Sequence, residues 1–344
     1  MPYSTPPLGP RPIRIGSLFS GYGGLDLAVE HATGGETAWF SELNDPVARV
    51  FTHHWPEAPN LGDITTINWN QVTPVDVLCG GFPCQDVSTV GKQAGLAPGT
   101  RSGLWSHMAE AIDVLQPRQV VIENVRGLLS ARAIRPQAQG ATDDNRNPAT
   151  PSPATLGDLE SATWSLGDDA ARPLRALGAP HHRFRIFILA TRQGAVSDSV
   201  GVGLLPRRRD PGPGESQTRN DRAIAPDHRL RPTRTAWLTE QEGRLGDSVV
   251  ADRRAVQRWG RYADAITRWE HITGRAAPSP AIVTDDAEPR PAPAFVEWLM
   301  GLPAGWTTDS VHGLTSSGRL SALGNGVLPI QAVYALRTFC SSIE

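Results

Sequence analysis

The sequence predicts an α/β protein built on a doubly wound sheet. Three features predict it: an apolar run closed by a glycine turn, short apolar strands recurring between helical stretches, and polar residues at the strand ends. Ile13 to Phe19 is the first run, and Ser20-Gly21-Tyr22-Gly23-Gly24 closes it. The next residues, with Leu25, Leu27, Ala28 and Val29, read as a helix, which makes an opening βα unit. Glu36 to Phe40 is a second strand ending at Glu42, and Pro46 to Trp55 reads as the following helix. A third unit ends near Gly62-Asp63-Ile64. Val75 to Cys79 is a strand running into Gly80-Gly81-Phe82-Pro83-Cys84-Gln85. Val120 to Ile122 leads into Glu123-Asn124-Val125, and Arg185 to Thr191 follows His181-His182-Arg183. Such alternation argues for a parallel sheet with its ligands at the carboxyl ends of the strands.

A chain of 344 residues suits one large α/β domain with a smaller one appended. Two segments break the strand–helix rhythm. Arg132 to Thr155 has no periodicity and reads as a mobile surface loop. Residues 193–292 are rich in Arg, Pro and Gly, with a helical stretch from Val256 to Ile272 that carries Trp259, Tyr262 and Trp269. With Trp237, these tryptophans read as a small core. Phe295 to Leu302 and Gly326 to Leu336 then return to apolar helical patterns, so residues 1–192 plus 293–344 make one domain and 193–292 the other.

Three unevenly spaced cysteines, Cys79, Cys84 and Cys340, make neither a disulfide framework nor a zinc site, and no metal is expected. The net charge of −2 gives no whole-chain signal for nucleic acid. Lys92 is the only lysine, which leaves arginine, with its planar fork, for phosphate and guanine contacts. No apolar run approaches the roughly 20 residues that span a bilayer. Met1 to Pro12 lacks the apolar stretch of a secretory signal, and a cytoplasmic protein is expected.

Gly21, Gly23 and Gly24 open the backbone to a ligand at a helix start, and they suit a tight structural turn equally. Their spacing is not that of dinucleotide-binding glycines. Glu42 stands where a carboxylate holds ribose hydroxyls, and Asp63 where one accepts from an adenine amino group; together these positions favour an adenosine-containing cofactor. Cys84 should project from the sheet edge towards a helix start, a placement that lowers a thiol pKa. From the residues alone, nucleophile and core thiol fit Cys84 equally, whereas Cys79 and Cys340 read as buried and inert. Glu123 suggests acid chemistry on a ring nitrogen, and Asn124 reads as a strand-end cap. Arg183 and Arg185 alternate along a strand and share one face.

In order, these pieces resemble the DNA (cytosine-5)-methyltransferases of bacteria and their phages. The matching stretches are Phe19-Ser20-Gly21-Tyr22-Gly23-Gly24, Glu42, Gly62-Asp63-Ile64, Gly81-Phe82-Pro83-Cys84-Gln85-Asp86-Val87-Ser88, Glu123-Asn124-Val125, His181-His182-Arg183-Phe184-Arg185 and Gly324-Asn325-Gly326-Val327. The resemblance implies a Rossmann-like S-adenosylmethionine-dependent sheet with a smaller target-recognition domain at 193–292. It implies that Phe19, Gly21, Gly23, Gly24, Glu42, Asp63, Ile64, Asn325 and Val327 line the S-adenosyl-L-methionine pocket, with Leu104 as a further wall. Pro83 and Cys84 would meet a flipped cytosine, Glu123 its nitrogen 3 and amino group, and Arg185, beside Arg183, its carbonyl. Gln85 to Arg101, with Ser88, would close over double-stranded DNA; Arg207, Arg208 and Arg209 read as a phosphate contact or as a solvated turn, with phosphate contact favoured. His181 stands where the family more usually has glutamine.

A monomer is expected, in DNA modification paired with a cognate restriction endonuclease. Rival readings are a methyltransferase acting on transfer RNA, an inactive DNA-binding relative, and a dinucleotide oxidoreductase. The last does not account for Pro83-Cys84-Gln85 or Glu123-Asn124-Val125.

Overall fold

The computed structural model of the chain describes residues 11–83, 104–125, 164–166, 179–181, 183–192, 234–284 and 287–341. Cys84, Gln85, Ser88, Arg101, Arg207, Arg208, Arg209 and the stretch Arg132 to Thr155 lie outside the described residues.

The first strand, β1 (Arg14–Leu18), is flanked on both sides by parallel partners, β2 (Glu36–Ser41) and β3 (Val77–Gly80). Beyond β3 come β4 (Gln119–Val125), β6 (Arg185–Arg192) and β5 (Trp164–Leu166), giving the order β2-β1-β3-β4-β6-β5. Since β1 connects outward to β2 on one side and the chain later returns to β3 on the other, the order reverses between β1 and β3. In open α/β sheets the crevice at such a switch point, at the carboxyl ends of the strands, is where ligands sit.

The expectation of a parallel sheet is corrected in its second half: β6 runs antiparallel to both β4 and β5. Mixed sheets are common among doubly wound folds, and an apolar run carries no record of strand direction. The correction matters for function. Val125, the last residue of β4, pairs with Arg185, the first of β6, so the amino end of β6 lies at the carboxyl edge of the parallel strands.

Helices cover both faces. One apolar cluster combines Leu27, Ala28 and Val29 of α1 (Gly24–Thr33) with Val50 and Phe51 of α2 (Asp45–His54) and Val333 and Leu336 of α9 (Pro329–Ser341). Phe51 stacks on Phe40 at 4.1 Å and on Trp55 at 4.2 Å, closing α2 onto the sheet. The opposite face packs Leu18, Leu78, Val120, Ile122 and Ile186 against α3 (Trp105–Leu115).

The helices α4 (Ala236–Gly243), α5 (Arg253–Trp259) and α6 (Ala263–Thr273) fall within the segment expected to be a separate domain. Leu238, Ile266, Trp269 and Ile272 nevertheless join the cluster of α1 and α9, and Arg337 pairs with Glu242. Trp269 is fully buried, with Trp237 and Trp259 packed partly buried on the same cluster, so these tryptophans join the main core where a separate small one was expected. The expected single helix from Val256 to Ile272 is broken at Gly260, whose φ of +53° ends α5. A hairpin, β7 (Ala281–Thr284) with β8 (Ala287–Pro291), precedes α7 (Pro293–Leu299). The loop after α7 is pinned by Glu297. Its buried carboxylate accepts from the backbone N–H groups of Gly305, Thr307 and Thr308 and from both threonine hydroxyls. The last connection runs from α8 (Ser316–Asn325) through Gly326-Val327-Leu328 into α9.

Among the described residues no helix is long and apolar enough to cross a membrane. Nor is any group of three or more His, Cys, Asp or Glu among them placed to hold a metal ion.

Candidate active site at the carboxyl edge

Leaving β1, the backbone turns sharply. Phe19 has φ +53°, in the left-handed region that costs a non-glycine residue energy, and Gly21 and Gly23 follow at +56° and +88°. Gly21 donates its N–H to Oε2 of Glu42 at 2.9 Å, while Glu42 Oε1 accepts from the Asn44 N–H at 2.8 Å. Asn60 ties the next loop in: its Oδ1 accepts from the Glu42 and Gly62 N–H groups, and its Nδ2 donates to the Glu42 carbonyl. The glycine turn, Glu42 and the Gly62-Asp63 loop thus form one rim over the ends of β1 and β2. Asp63 accepts from the N–H and hydroxyl of Thr65, bonds that hold its carboxyl below the usual range and keep it ionised. Phe19, Ile64 and Leu104 pack with Phe82 and Trp105 in one cluster beneath that rim.

Above the rim there is room. A Cβ added at Gly21 or at Gly62 would meet nothing within 4 Å. Gly23 and Gly24 are different: a Cβ at Gly23 would run into the Trp55 ring, and one at Gly24 into the Val327 carbonyl. These two glycines serve close packing, and Gly21 is the one that leaves the space open.

The carboxyl end of β3 continues as Gly81-Phe82-Pro83, the turn that leads directly into Cys84. Its course is set by Asn124, whose Nδ2 donates to the Phe82 carbonyl at 3.2 Å. Beside it, Gly81 is a close approach: a Cβ there would lie 2.7 Å from Oε2 of Glu123. Glu123 is 8% exposed, and its Oε1 pairs with Nε of Arg185 at 2.6 Å. Burial pushes its pKa up, and the guanidinium groups of Arg185 and Arg183 pull it back only in part. The sheet edge therefore holds a carboxyl that takes up a proton more readily than an ordinary glutamate, within reach of a fixed cation. Such a group can donate to a ring nitrogen.

The two arginines do different things. Because β6 begins at Arg185, the alternation that was expected to put both on one face does not extend back to Arg183. Both guanidinium nitrogens of Arg183 donate to the Gly324 carbonyl at 3.1 Å, and one also reaches the Gly326 carbonyl. Arg183 is a clamp on the Gly324–Val327 turn, and only Arg185 meets Glu123. The same turn is held from the other side by Tyr22, whose hydroxyl donates to the Val327 carbonyl at 2.5 Å. A Cβ on Gly326 would collide with the Tyr22 ring, which explains a glycine there. Asn325 is exposed at this turn, beside the opening glycine loop. His181 and Gln331 hold the approach to β6, through the Leu299 carbonyl and the Arg183 carbonyl respectively.

Sequence reasoning missed Tyr22 as a latch. Its ring lies inside the quoted glycine motif, but its partner is 305 residues away and nothing local points to it. Tyr22→Phe keeps the ring and removes only the hydroxyl. The buried Val327 carbonyl then loses its donor, at a cost of about 1–3 kcal/mol. Chemical denaturation should register that loss, and unchanged stability would mean that the hydroxyl bond is not formed in solution.

A six-stranded mixed sheet with an acidic rim at its switch point defines a doubly wound, Rossmann-like α/β architecture. Its fold matches that of the Entamoeba histolytica methyltransferase EhMeth with a TM-score of 0.54, at 15% identity, covering 97% of this chain and 100% of that one. Residues 13–137 match the family model of the C-5 cytosine-specific DNA methylases. It is 39% identical over 132 residues to the type II methyltransferase M.NgoFVII of Neisseria gonorrhoeae, covering 38% of this chain and 35% of the relative. It is 31% identical over 182 residues to the type II methyltransferase M.HhaI of Haemophilus parahaemolyticus, covering 52% of this chain and 49% of the relative. The matches thus span between about a third and a half of these curated relatives.

Proposed function

We propose that the chain transfers a methyl group to carbon 5 of a flipped cytosine in duplex DNA, with Cys84 as transient nucleophile. The observation that carries this is the buried Glu123–Arg185 pair at the strand edge beside the Gly81-Phe82-Pro83 turn.

The open space above Gly21 and Gly62, between the carboxylates of Glu42 and Asp63, fits the adenosine and the positive charge of S-adenosylmethionine. Phe19, Gly21, Glu42, Asp63, Ile64, Leu104, Asn325 and Val327 are the residues that would hold it. When bound, it supplies an electrophilic methyl group on a sulfonium sulfur.

The chain's own residues do the rest. Carbon 5 of cytosine is a poor nucleophile, and the base is out of reach inside a duplex, so it must be flipped into the site. The Cys84 thiolate forms a bond to carbon 6, and the displaced electron pair makes carbon 5 nucleophilic. Glu123 offset the charge by a proton or strong hydrogen bond at nitrogen 3, and Arg185 holds both the carboxyl and the base carbonyl. After carbon 5 has taken the methyl group, its proton leaves, the bond to Cys84 breaks, and the thiolate is restored. Target recognition is assigned to residues 193–292. The type II relatives favour a role in modification paired with a restriction endonuclease, and one catalytic unit acting as a monomer suits this reading.

Duplex DNA carrying 5-fluorocytosine in random context, incubated with protein and S-adenosylmethionine, tests it. Fluorine cannot leave as a proton does, so a denaturation-resistant adduct should accumulate and be absent with Cys84→Ser. An adduct with substituted RNA and none with DNA would move the substrate to RNA. Cofactor binding without any adduct would reject the covalent mechanism.

A further inference from the structure

We propose that α5 and the turn into α6 form a surface that contacts the phosphates of duplex DNA, an inference that rests on DNA being the substrate. Between residues 252 and 268 the sequence places five arginines, Arg253, Arg254, Arg258, Arg261 and Arg268, against two aspartates. In a chain of net charge −2 this is a local excess of positive charge. Both acids are engaged by backbone: Asp252 caps α5 through the Ala255 N–H at 2.7 Å, and Asp264 accepts from the Ala251 N–H. All five arginines are exposed. Among the described residues Arg253, Arg254, Arg258 and Arg268 have no hydrogen-bond or ion-pair partner.

The packing of α5 gives these cations no internal purpose. None of its residues is buried, and Arg254 and Arg258 stand four apart, a spacing at which like charges repel. What anchors the helix is Trp259, stacked on Phe295 with the rings 19° apart. Two guanidinium groups lie over neighbouring rings, Arg258 over Trp259 at 4.7 Å and Arg261 over Tyr262 at 4.8 Å. The rings hold the guanidinium groups in place, and Arg261 also donates to the Tyr262 hydroxyl at 2.7 Å, while the Arg258 donors stay in solvent. A row of exposed, preoriented guanidinium forks matches phosphate oxygens, and its contacts are indifferent to base sequence.

Fluorescence anisotropy of the full chain on a short random-sequence duplex, across a salt series, tests this. Arg254→Gln/Arg258→Gln should lower the slope of log affinity against log salt by about 2, one contact per arginine. Affinity at low salt should fall about tenfold or more, while S-adenosylmethionine binding, read by calorimetry, stays unchanged. A wild-type chain that binds duplex with a slope the double variant does not alter would overturn this inference and leave the proposed substrate standing. Binding of a folded RNA in place of duplex would overturn the duplex assignment. Failure to bind either nucleic acid would remove the substrate reading and this surface with it.

Discussion

Replacing Glu123 by glutamine is expected to lower kcat by 10²–10⁴-fold, about 3–5 kcal/mol of transition-state stabilisation, in the range for loss of a positioned acid. Two consequences of the change act together. Glutamine can still donate a hydrogen bond, but it cannot transfer a proton to nitrogen 3 as the charge on the ring develops. It also leaves Arg185 without its carboxylate, where the pair now meets at 2.6 Å on an edge with Glu123 almost wholly buried. The second effect separates from the first in Arg185→Lys, which keeps a cation near Glu123 but loses the planar fork. The pH profile is the further readout. Burial raises the Glu123 pKa, so the protonated form persists closer to neutrality than in an ordinary glutamate, and activity that depends on it should fall as pH rises through that pKa. Steady-state methylation of Glu123→Gln over a pH series should show both the drop in kcat and the absence of that alkaline limb. A variant with kcat within a few-fold of wild type would refute an acid role.

The second large effect lies in the core and concerns stability. Asp26, on α1, is 1% exposed and faces β1 and β3. The Cys79 thiol lies 3.8 Å from its Oδ1, and Oδ2 is buried without a partner among the described residues. Burial, with Glu30 nearby, raises its pKa from 3.8 to about 7. Between about pH 4 and pH 7 the folded chain therefore keeps a proton that the unfolded chain has released. Stability contributed by that proton is fully present at the acid end of the window and is lost as pH rises through it. The loss is about 1.4 kcal/mol per unit, or about 4 kcal/mol in all. Asp26→Asn removes the titration. The variant should match wild type to about 1 kcal/mol near pH 4.5 and exceed it by up to about 4 kcal/mol at pH 8. Urea denaturation of both proteins at the two pH values measures it, and a difference independent of pH would sink the claim. The comparison must be made between the two proteins. His54, stacked on Trp306 with its pKa lowered by burial to about 4, titrates in the opposite sense and loses stability as pH falls below about 6.5.

Much of this arrangement was legible in the sequence, because its strands are short apolar runs closed by distinctive turns. β1, β2, β3 and β4 fall where the runs placed them, and the polar residues after each do gather at one edge. Strand direction was not legible. Ile186 to Ala190 would look the same running either way, and the antiparallel course of β6 is what brings Arg185 to Glu123. The alternation of Arg183 with Arg185 did not hold for a related reason, since it assumes that the strand extends back to Arg183. Its partners, the Gly324 and Gly326 carbonyls, belong to a turn distant in sequence. Asn124, read as a strand-end cap, also fixes the turn before Cys84, a role visible only once β3 and β4 are neighbours. Glu30 had no local signal: it accepts from Thr37, Trp55 and Arg234, three partners from three parts of the chain.

The latch between Tyr22 and Val327, and the packing of α1 against α9, also bear on how the molecule is made. On the ribosome the first helix emerges long before the last, separated by the 305 residues between the latch partners. At roughly 5–20 residues per second that interval is roughly 15–60 s. Throughout it, α1 lacks the cover that α9 gives it. The nascent chain thus presents a sticky, half-built core for much of its synthesis, a period in which holding chaperones have the most to grip. Completion of the strand-edge turn at Val327 and completion of the covered core then become a single late event.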